Sequence, residues 1–292
     1  MNKTLIKDPN PAFCKTDVSR SPSIEIINSD CVEVLKSFED NYFDLAICDP
    51  PYGAATSAKW NYESDKKVNG FGGNWKLNNE EWDLLTGNDI FKSTHQWLTQ
   101  LKRLVKPTGS IWIHATYHNS GFVNVLCQLL GLEIINEVTW YKRNAFPNLS
   151  ARRLTASHET ILWVHTGGEK QRKYNFNYDD VKRAKFEGDN MKEADKQLRT
   201  VWDIPNNKSK DELNFGTHPT QKPLRVSERL LMISGIKGGK LLVPFAGSGT
   251  EMIAGMKYGM QAIGFEINEE YFELAKERLL FEESKIKSQL FV

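Results

Sequence analysis

An alternation of two hydrophobic periodicities runs along most of the chain. Residues 23–27, 43–48, 110–114, 240–243 and 262–265 form short, apolar, β-branched runs bounded by turn residues, the pattern of strands buried on both faces. Between them, 32–38, 90–105, 122–130, 224–234, 250–257 and 269–283 repeat apolar residues at helical spacing. Strand and helix in turn predict a doubly wound α/β fold, a mostly parallel sheet with helices on both faces. With 292 residues, 40% of them apolar, one domain over 1–292 can bury a sizeable core. Residues 53–83 and 167–217 break the rhythm with polar, weakly periodic sequence. Long irregular stretches in a compact α/β domain are usually functional loops, so both are expected to be insertions on the scaffold.

No stretch approaches the roughly 18 apolar residues of a membrane span, and the first residues lack a signal-peptide core. The expectation is a soluble, cytoplasmic protein without membrane partners. Cys14, Cys31, Cys48 and Cys127 form no CxxC pair, so neither a metal site nor a disulfide framework is expected. The net charge of +1 is unremarkable, but residues 141–185 carry ten Lys and Arg against four Asp and Glu, a local excess of six. Such a stretch is either a solvated face or a nucleic-acid contact.

Three motifs carry chemistry. Asp49-Pro50-Pro51-Tyr52 directly follows a predicted strand, and in open α/β sheets ligands sit beyond the strands' carboxyl ends. An exocyclic base amine is a poor nucleophile because its lone pair is delocalised into the ring. The Asp49 carboxylate and the Pro50 carbonyl, held by a stiff Pro-Pro backbone, are two acceptors that could draw off both amine hydrogens. Tyr52 offers a face on which an extruded base can stack. Equally, Asp and Pro are ordinary residues for a turn that ends a strand.

The second motif runs Leu242-Val243-Pro244-Phe245-Ala246-Gly247-Ser248-Gly249-Thr250, followed about sixteen residues on by Glu266. Strand, glycine turn, helix, strand and acid make the nucleoside-binding half of a doubly wound fold. Without full GxGxxG spacing or a GK[ST] sequence, a nucleoside lacking a polyphosphate fits better than a dinucleotide or ATP. The third, His218-Pro219-Thr220-Gln221-Lys222-Pro223, opens a helix. There Lys222 beside free amides could seat a carboxylate, or the segment could be only a helix start with Pro in its first turn.

In their chain order, DPPY then HPTQKP then PFAGSGT, the motifs resemble the β-class amino-methyltransferases of bacterial restriction-modification systems, in which the catalytic motif precedes the cofactor motif. The stretch from Trp140 to Val164, of the form W-x-K-x-N-x-x-P-N…HETILW, is most similar to adenine methyltransferases of DpnII-type and HinfI-type systems. The resemblance implies a seven-stranded methyltransferase sheet with inserted DNA-recognition loops and S-adenosylmethionine as cofactor. It also implies a flipped-out adenine in duplex or single-stranded DNA as substrate, in a bacterial or phage-encoded protein. The catalytic region would span 24–165 and the cofactor region 218–283. Asp49, Pro50, Pro51 and Tyr52 inherit the target-amine role. Asp30, Cys31, Asp49, Thr220, Lys222, Phe245, Ala246, Gly247, Ser248, Gly249, Thr250, Glu266 and Ile267 inherit the cofactor, Asp30 on its adenine and Thr220 and Lys222 on its carboxylate side.

DNA contacts are expected from Lys59 in the 53–83 loop, from Lys142, Arg143, Asn144, Arg152 and Arg153, and from Lys182, Arg183 and Lys185 in a target-recognition insertion over 167–217. No metal is expected. A homodimer and a cognate restriction endonuclease stay open as partners. One residue departs from the pattern: Val243 stands where the family commonly has Asp, so the cofactor's amino group needs another acceptor, a water or Glu251. Cytosine-N4 methylation and an inactive DNA-binding relative are the alternatives, distinguished by the modified base and by cofactor titration.

Overall fold

The structure, a computed structural model, describes residues 23–53, 83, 87–147, 152–167, 172–183, 196–216 and 218–290, without the side chains of 183, 289 and 290. Its strands are β1 (Ile24–Asn28), β2 (Phe43–Cys48), β3 (Val105–Ala115), β4 (Glu133–Tyr141), β5 (His158–His165), β6 (Val201–Asp203), β7 (Lys240–Val243) and β8 (Gln261–Glu266). They form one sheet in the order β1-β8-β7-β2-β3-β5-β4-β6. The first five run parallel, β5 is antiparallel to both its neighbours, and β6 is parallel to β4.

Side-chain alternation divides the core into two layers. Phe43, Ala46 and Cys48 of β2 face one side with Trp97, Leu98 and Leu101. Leu45 and Ile47 face the other with Leu230, Leu241 and Met252. A strand with both faces covered must be apolar nearly throughout, which is why β2 reads as a continuous run rather than an alternating one. The layers are closed by α1 (Cys31–Leu35), α2 (Gly87–Leu104) and α3 (Ser120–Leu129), and by α6 (Leu224–Ser234), α7 (Thr250–Tyr258) and α8 (Glu269–Leu290), with the short α4 (Tyr178–Arg183) and α5 (Lys210–Leu213) between.

Two expectations change. The sheet has eight strands among the described residues rather than seven, because β6 adds a three-residue edge. The insertion expected over 167–217 is also partly scaffold. Val181 and Trp202 from it are buried in the core, and the Trp202 indole N–H donates to the Arg199 carbonyl. Asn175 and Asn177 donate to the carbonyls of Ser234, Gly235 and Met232, satisfying acceptors that the end of α6 leaves open. Most of the 53–83 loop, with Lys59, lies outside the described residues, as do Lys185 and Cys14.

Candidate active site

Connections from β2 and β7, adjacent in the sheet, lead away in opposite directions: β2 continues to β3 on one side and β7 to β8 on the other. A crevice opens where strand order reverses in this way. The Asp49 turn leaves β2 there and the glycine turn leaves β7 beside it. Between them lies a cavity of about 630 Å³ that reaches from Asp30 and Glu266 at one end to Asp49 and Glu251 at the other.

At the Asp49 end the side chains are tightly engaged. The Tyr52 hydroxyl donates to Asp49 Oδ1. Lys222 Nζ donates to Asp49 Oδ2 at 2.7 Å, to the Tyr52 hydroxyl at 2.9 Å and to the Thr220 carbonyl at 3.2 Å. Asp83 accepts the backbone N–H groups of Tyr52 and Gly53, both at 2.7 Å, and so holds the turn from below. Asp83 is far away in sequence and carries no motif, so nothing in the chain points to it.

Behind Lys222 the charges continue. Glu159, at the start of β5, accepts from Lys142 Nζ at 2.8 Å and lies 3.7 Å from Lys222 Nζ. Lys142, Glu159, Lys222 and Asp49 thus alternate in sign across three separated motifs. Burial alone would raise the Asp49 carboxyl, but Lys222 outweighs it and holds Asp49 below the ordinary carboxylate range. Glu159 is likewise lowered, by Lys222 and Lys142 against its burial. His114 at the end of β3 is pushed down to about 4, chiefly by burial, and is neutral. Glu251 moves the other way, up to about 7, by burial and the nearby Asp49 charge.

Three of the expected site residues are already paired within the protein. Lys222 is only 3% exposed and bonds Asp49 and Tyr52 at the cavity wall. Tyr52 is 5% exposed, lines the cavity and has its hydroxyl on Asp49. Lys142, expected on DNA, is turned inward onto Glu159.

Most of the residues assigned to the cofactor by resemblance line the cavity. Gly247 and Gly249 have φ of 51° and 78°, a left-handed backbone that favours glycine. Their turn presents Phe245, Ala246, Ser248 and Thr250 to the cavity. Glu266 accepts the Gly247 N–H at 2.8 Å and the Asn268 N–H at 2.9 Å, which fixes its carboxylate at the cavity wall. Asp30 caps α1 by accepting from Val32 N at 2.8 Å, while Cys31 and Ile267 complete that end. Arg278 donates to the Ser248 carbonyl and, at 3.2 Å, to Thr250 Oγ1, a brace on the turn that no motif announces. Val243 is fully buried in the core and does not line the cavity, whereas Glu251 does. The lining suits a nucleoside with a sulfonium amino acid: acids stand at both ends, and Lys36 and the already paired Lys222 are the only lysines or arginines on the described wall. Among the described residues no group of three or more His, Cys, Asp or Glu is gathered that could hold a metal.

Among the remaining residues expected on DNA, Arg143 pairs with Asp203 at 2.9 Å and Asn144 accepts from Asn206 N at 2.7 Å, so both tie the β4–β5 connection to β6. Arg152 and Arg153 are exposed near the carboxyl ends of the strands, and Arg153 donates to the exposed Tyr117 at 3.0 Å. Lys182 lies on α4; the side chain of Arg183 lies outside the described residues.

A family model described as DNA methylase matches residues 43–277. The chain is 33% identical over 261 residues to Type II methyltransferase M2.MboI of Moraxella bovis, covering 89% of each protein. It is 33% identical over 259 residues to Type II methyltransferase M2.DpnII of Streptococcus pneumoniae, covering 87% of this chain and 88% of that one. Among solved structures, the complex of M1.HpyAVI with SAM is similar at TM-score 0.59 and 24% identity, over 88% of this chain and 98% of that one. The cytosine-N4-specific PvuII DNA methyltransferase is similar at TM-score 0.64 and 15% identity, over 89% of each chain. At those identities the two structures speak for the fold.

Proposed function

The chain belongs to the DNA methylase family of N6 and N4 methyltransferases, and we propose that it transfers a methyl group from S-adenosylmethionine to the N6 amine of an extruded adenine within a restriction-modification system. The observation that carries this reading is Asp49. It is an ionised carboxylate at the mouth of β2, inside a cavity that joins it to the Glu266 end.

The cofactor supplies an electrophilic methyl on a sulfonium sulfur. The chain's own part is to make the amine nucleophilic and to fix its position. Asp49, with the Pro50 carbonyl, accepts the amine hydrogens, which localises the lone pair on nitrogen. Transfer would form the N–C bond as the C–S bond breaks, the bonding pair staying on sulfur, and one amine proton would pass to Asp49. Asp30 and Glu266 would hold the adenosine part, and the Phe245–Thr250 turn the methionine part. Asp at the head of the tetrapeptide favours adenine over cytosine by family resemblance. Sequencing of modified bases in DNA from cells expressing the chain tests the reading directly: N6-methyladenine at a fixed sequence is expected, and N4-methylcytosine would overturn it.

With Val243 in the core, Glu251 is the acceptor proposed for the cofactor's ammonium. That role needs the ionised carboxylate, and Glu251 loses its proton only near pH 7. Cofactor affinity is therefore expected to rise with pH between about pH 6 and about pH 8, since the anion favours the ammonium. The Glu251→Gln variant should bind more weakly and without this pH dependence. Calorimetric titration at several pH values checks both, and a flat wild-type profile contradicts the assignment.

For DNA, Arg152 and Arg153 on the exposed β4–β5 connection are the described residues best placed to meet phosphates. Their joint replacement by Ala should weaken binding and lower the log-log salt slope by about 0.9 for each phosphate no longer neutralised. Fluorescence anisotropy across a salt series reads the slope. An unchanged value would move recognition elsewhere on the protein.

A further inference from the structure

Both oxygens of Asp49 are engaged before any base arrives, Oδ1 by the Tyr52 hydroxyl and Oδ2 by Lys222. A carboxylate neutralised by an ammonium at 2.7 Å is a poor acceptor for a weakly polar amine N–H, because its charge is already compensated and one of its best lone-pair directions is filled. Withdrawal of Lys222 would free that charge and that direction for the amine. It cannot withdraw into water, because it is 3% exposed.

The structure holds one acceptor ready for it. Glu159 Oε2 is buried and has no hydrogen-bond partner among the described residues, an arrangement that costs free energy unless another state uses the atom. It lies 3.7 Å from Lys222 Nζ, outside hydrogen-bond range but within a displacement of about 1 Å from it. Glu159 itself is anchored through Oε1 to Lys142 at 2.8 Å and through its backbone to the edge of β5. In the described state the three hydrogens of Lys222 are taken by Asp49, Tyr52 and Thr220. Moving Nζ to Glu159 exchanges partners without exposing a charge.

We propose that Lys222 is a movable counter-ion that passes from Asp49 and Tyr52 to Glu159 as the target amine enters, with Glu159 the positioning residue that makes the exchange affordable. The inference rests on the amino-methylation reading above. Lys142 and Glu159 belong to one sequence block and Lys222 to another, and the exchange unites them: Lys222 keeps Asp49 ionised at rest, and Glu159, anchored by Lys142, lets it release Asp49 to substrate.

The test is single-turnover methyl transfer to cognate DNA at saturating cofactor. Glu159→Gln offers Lys222 only a neutral oxygen, so the rate should fall about 10- to 100-fold while cofactor and DNA affinities stay within about 2-fold. Glu159→Asp, which restores the charge on a shorter arm, should recover part of the rate. A wild-type rate in Glu159→Gln overturns the proposal, and so does a loss that Glu159→Asp leaves untouched. A crystal structure of the wild-type protein with DNA and the demethylated cofactor decides the point even if a variant fails to fold. Lys222 is expected on Glu159 and off Asp49, and an intact Lys222–Asp49 pair beside a bound base overturns the proposal. If the wild-type protein transfers no methyl to adenine, the adenine reading fails instead, which the same assay shows before any variant is measured.

Discussion

Replacing Asp49 with alanine should abolish methyl transfer, with a rate at least about 100-fold below wild type, as for the loss of a preorganised polar group in an active site. The amine would then meet only the Pro50 carbonyl, and the proton it must lose would have no carboxylate to go to. Cofactor affinity should stay within a few-fold, because the adenosine end of the cavity is fixed by Glu266, through Gly247 and Asn268, and by Asp30, none of which leans on Asp49. The fold should survive too, since Glu159 remains within 3.7 Å of Lys222 as a counter-charge. A tritiated-methyl assay with calorimetric titration separates the two quantities. Wild-type activity in Asp49→Ala would sink the mechanism.

Lys222→Met should be costly in a different way, losing stability as well as activity. It leaves Asp49 and Glu159 facing each other in a buried site with Lys142 and the nearby Lys208 as remaining counter-charges, and breaking a buried pair costs about 3–5 kcal/mol. The pH dependence carries the signature. In the wild-type protein both carboxyls are held below their ordinary values, so their contribution is present above the unfolded-state carboxyl value and fades as pH falls through the lowered folded ones. Without Lys222, burial and mutual repulsion dominate and the Asp49 carboxyl rises. Its protonation then relieves the unpaired charge, so the deficit should be greatest in alkaline solution and shrink on acidification. Thermal unfolding of both proteins across a pH series checks this, and a deficit independent of pH would show that Lys222 supports the fold by packing alone.

The doubly wound core is legible in the sequence because the strands at its centre are covered on both faces and so read as unbroken apolar runs. Strand β4 is not: Glu133–Tyr141 carries Glu133, Asn136, Glu137 and Thr139 on its faces. Strand β5 is buried on both faces from Ile161 onward but opens with polar residues, so in sequence both merge into a basic, motif-bearing block. Strand β6 is too short to leave any periodicity. At the site, residues adjacent in sequence can be read from it and residues adjacent only in space cannot. Asp49 to Tyr52 and the Gly247 turn announce themselves by spacing, whereas Asp83, His114 and Arg278 act across sequence separations that no motif spans. Lys222 and Lys142 show the limit most clearly. Each stands out as functional from its motif, but their inward pairing with Asp49 and Glu159 depends on the order in which β2, β3, β5 and β4 lie side by side.

Trp202 has a bearing on how such a protein could change its target. It lies in the interior on a strand paired with β4, with Arg229 stacked 5.0 Å from its ring centroid. Any segment transplanted between relatives to alter sequence preference would carry this indole with it, or leave a hole beneath β4 if it did not. If residues 167–217 carry sequence preference, exchange of the whole segment would be expected to fail, because its far end supplies β6 and Trp202 to the sheet and core, and the segment would be held to its ancestry where it rejoins the sheet.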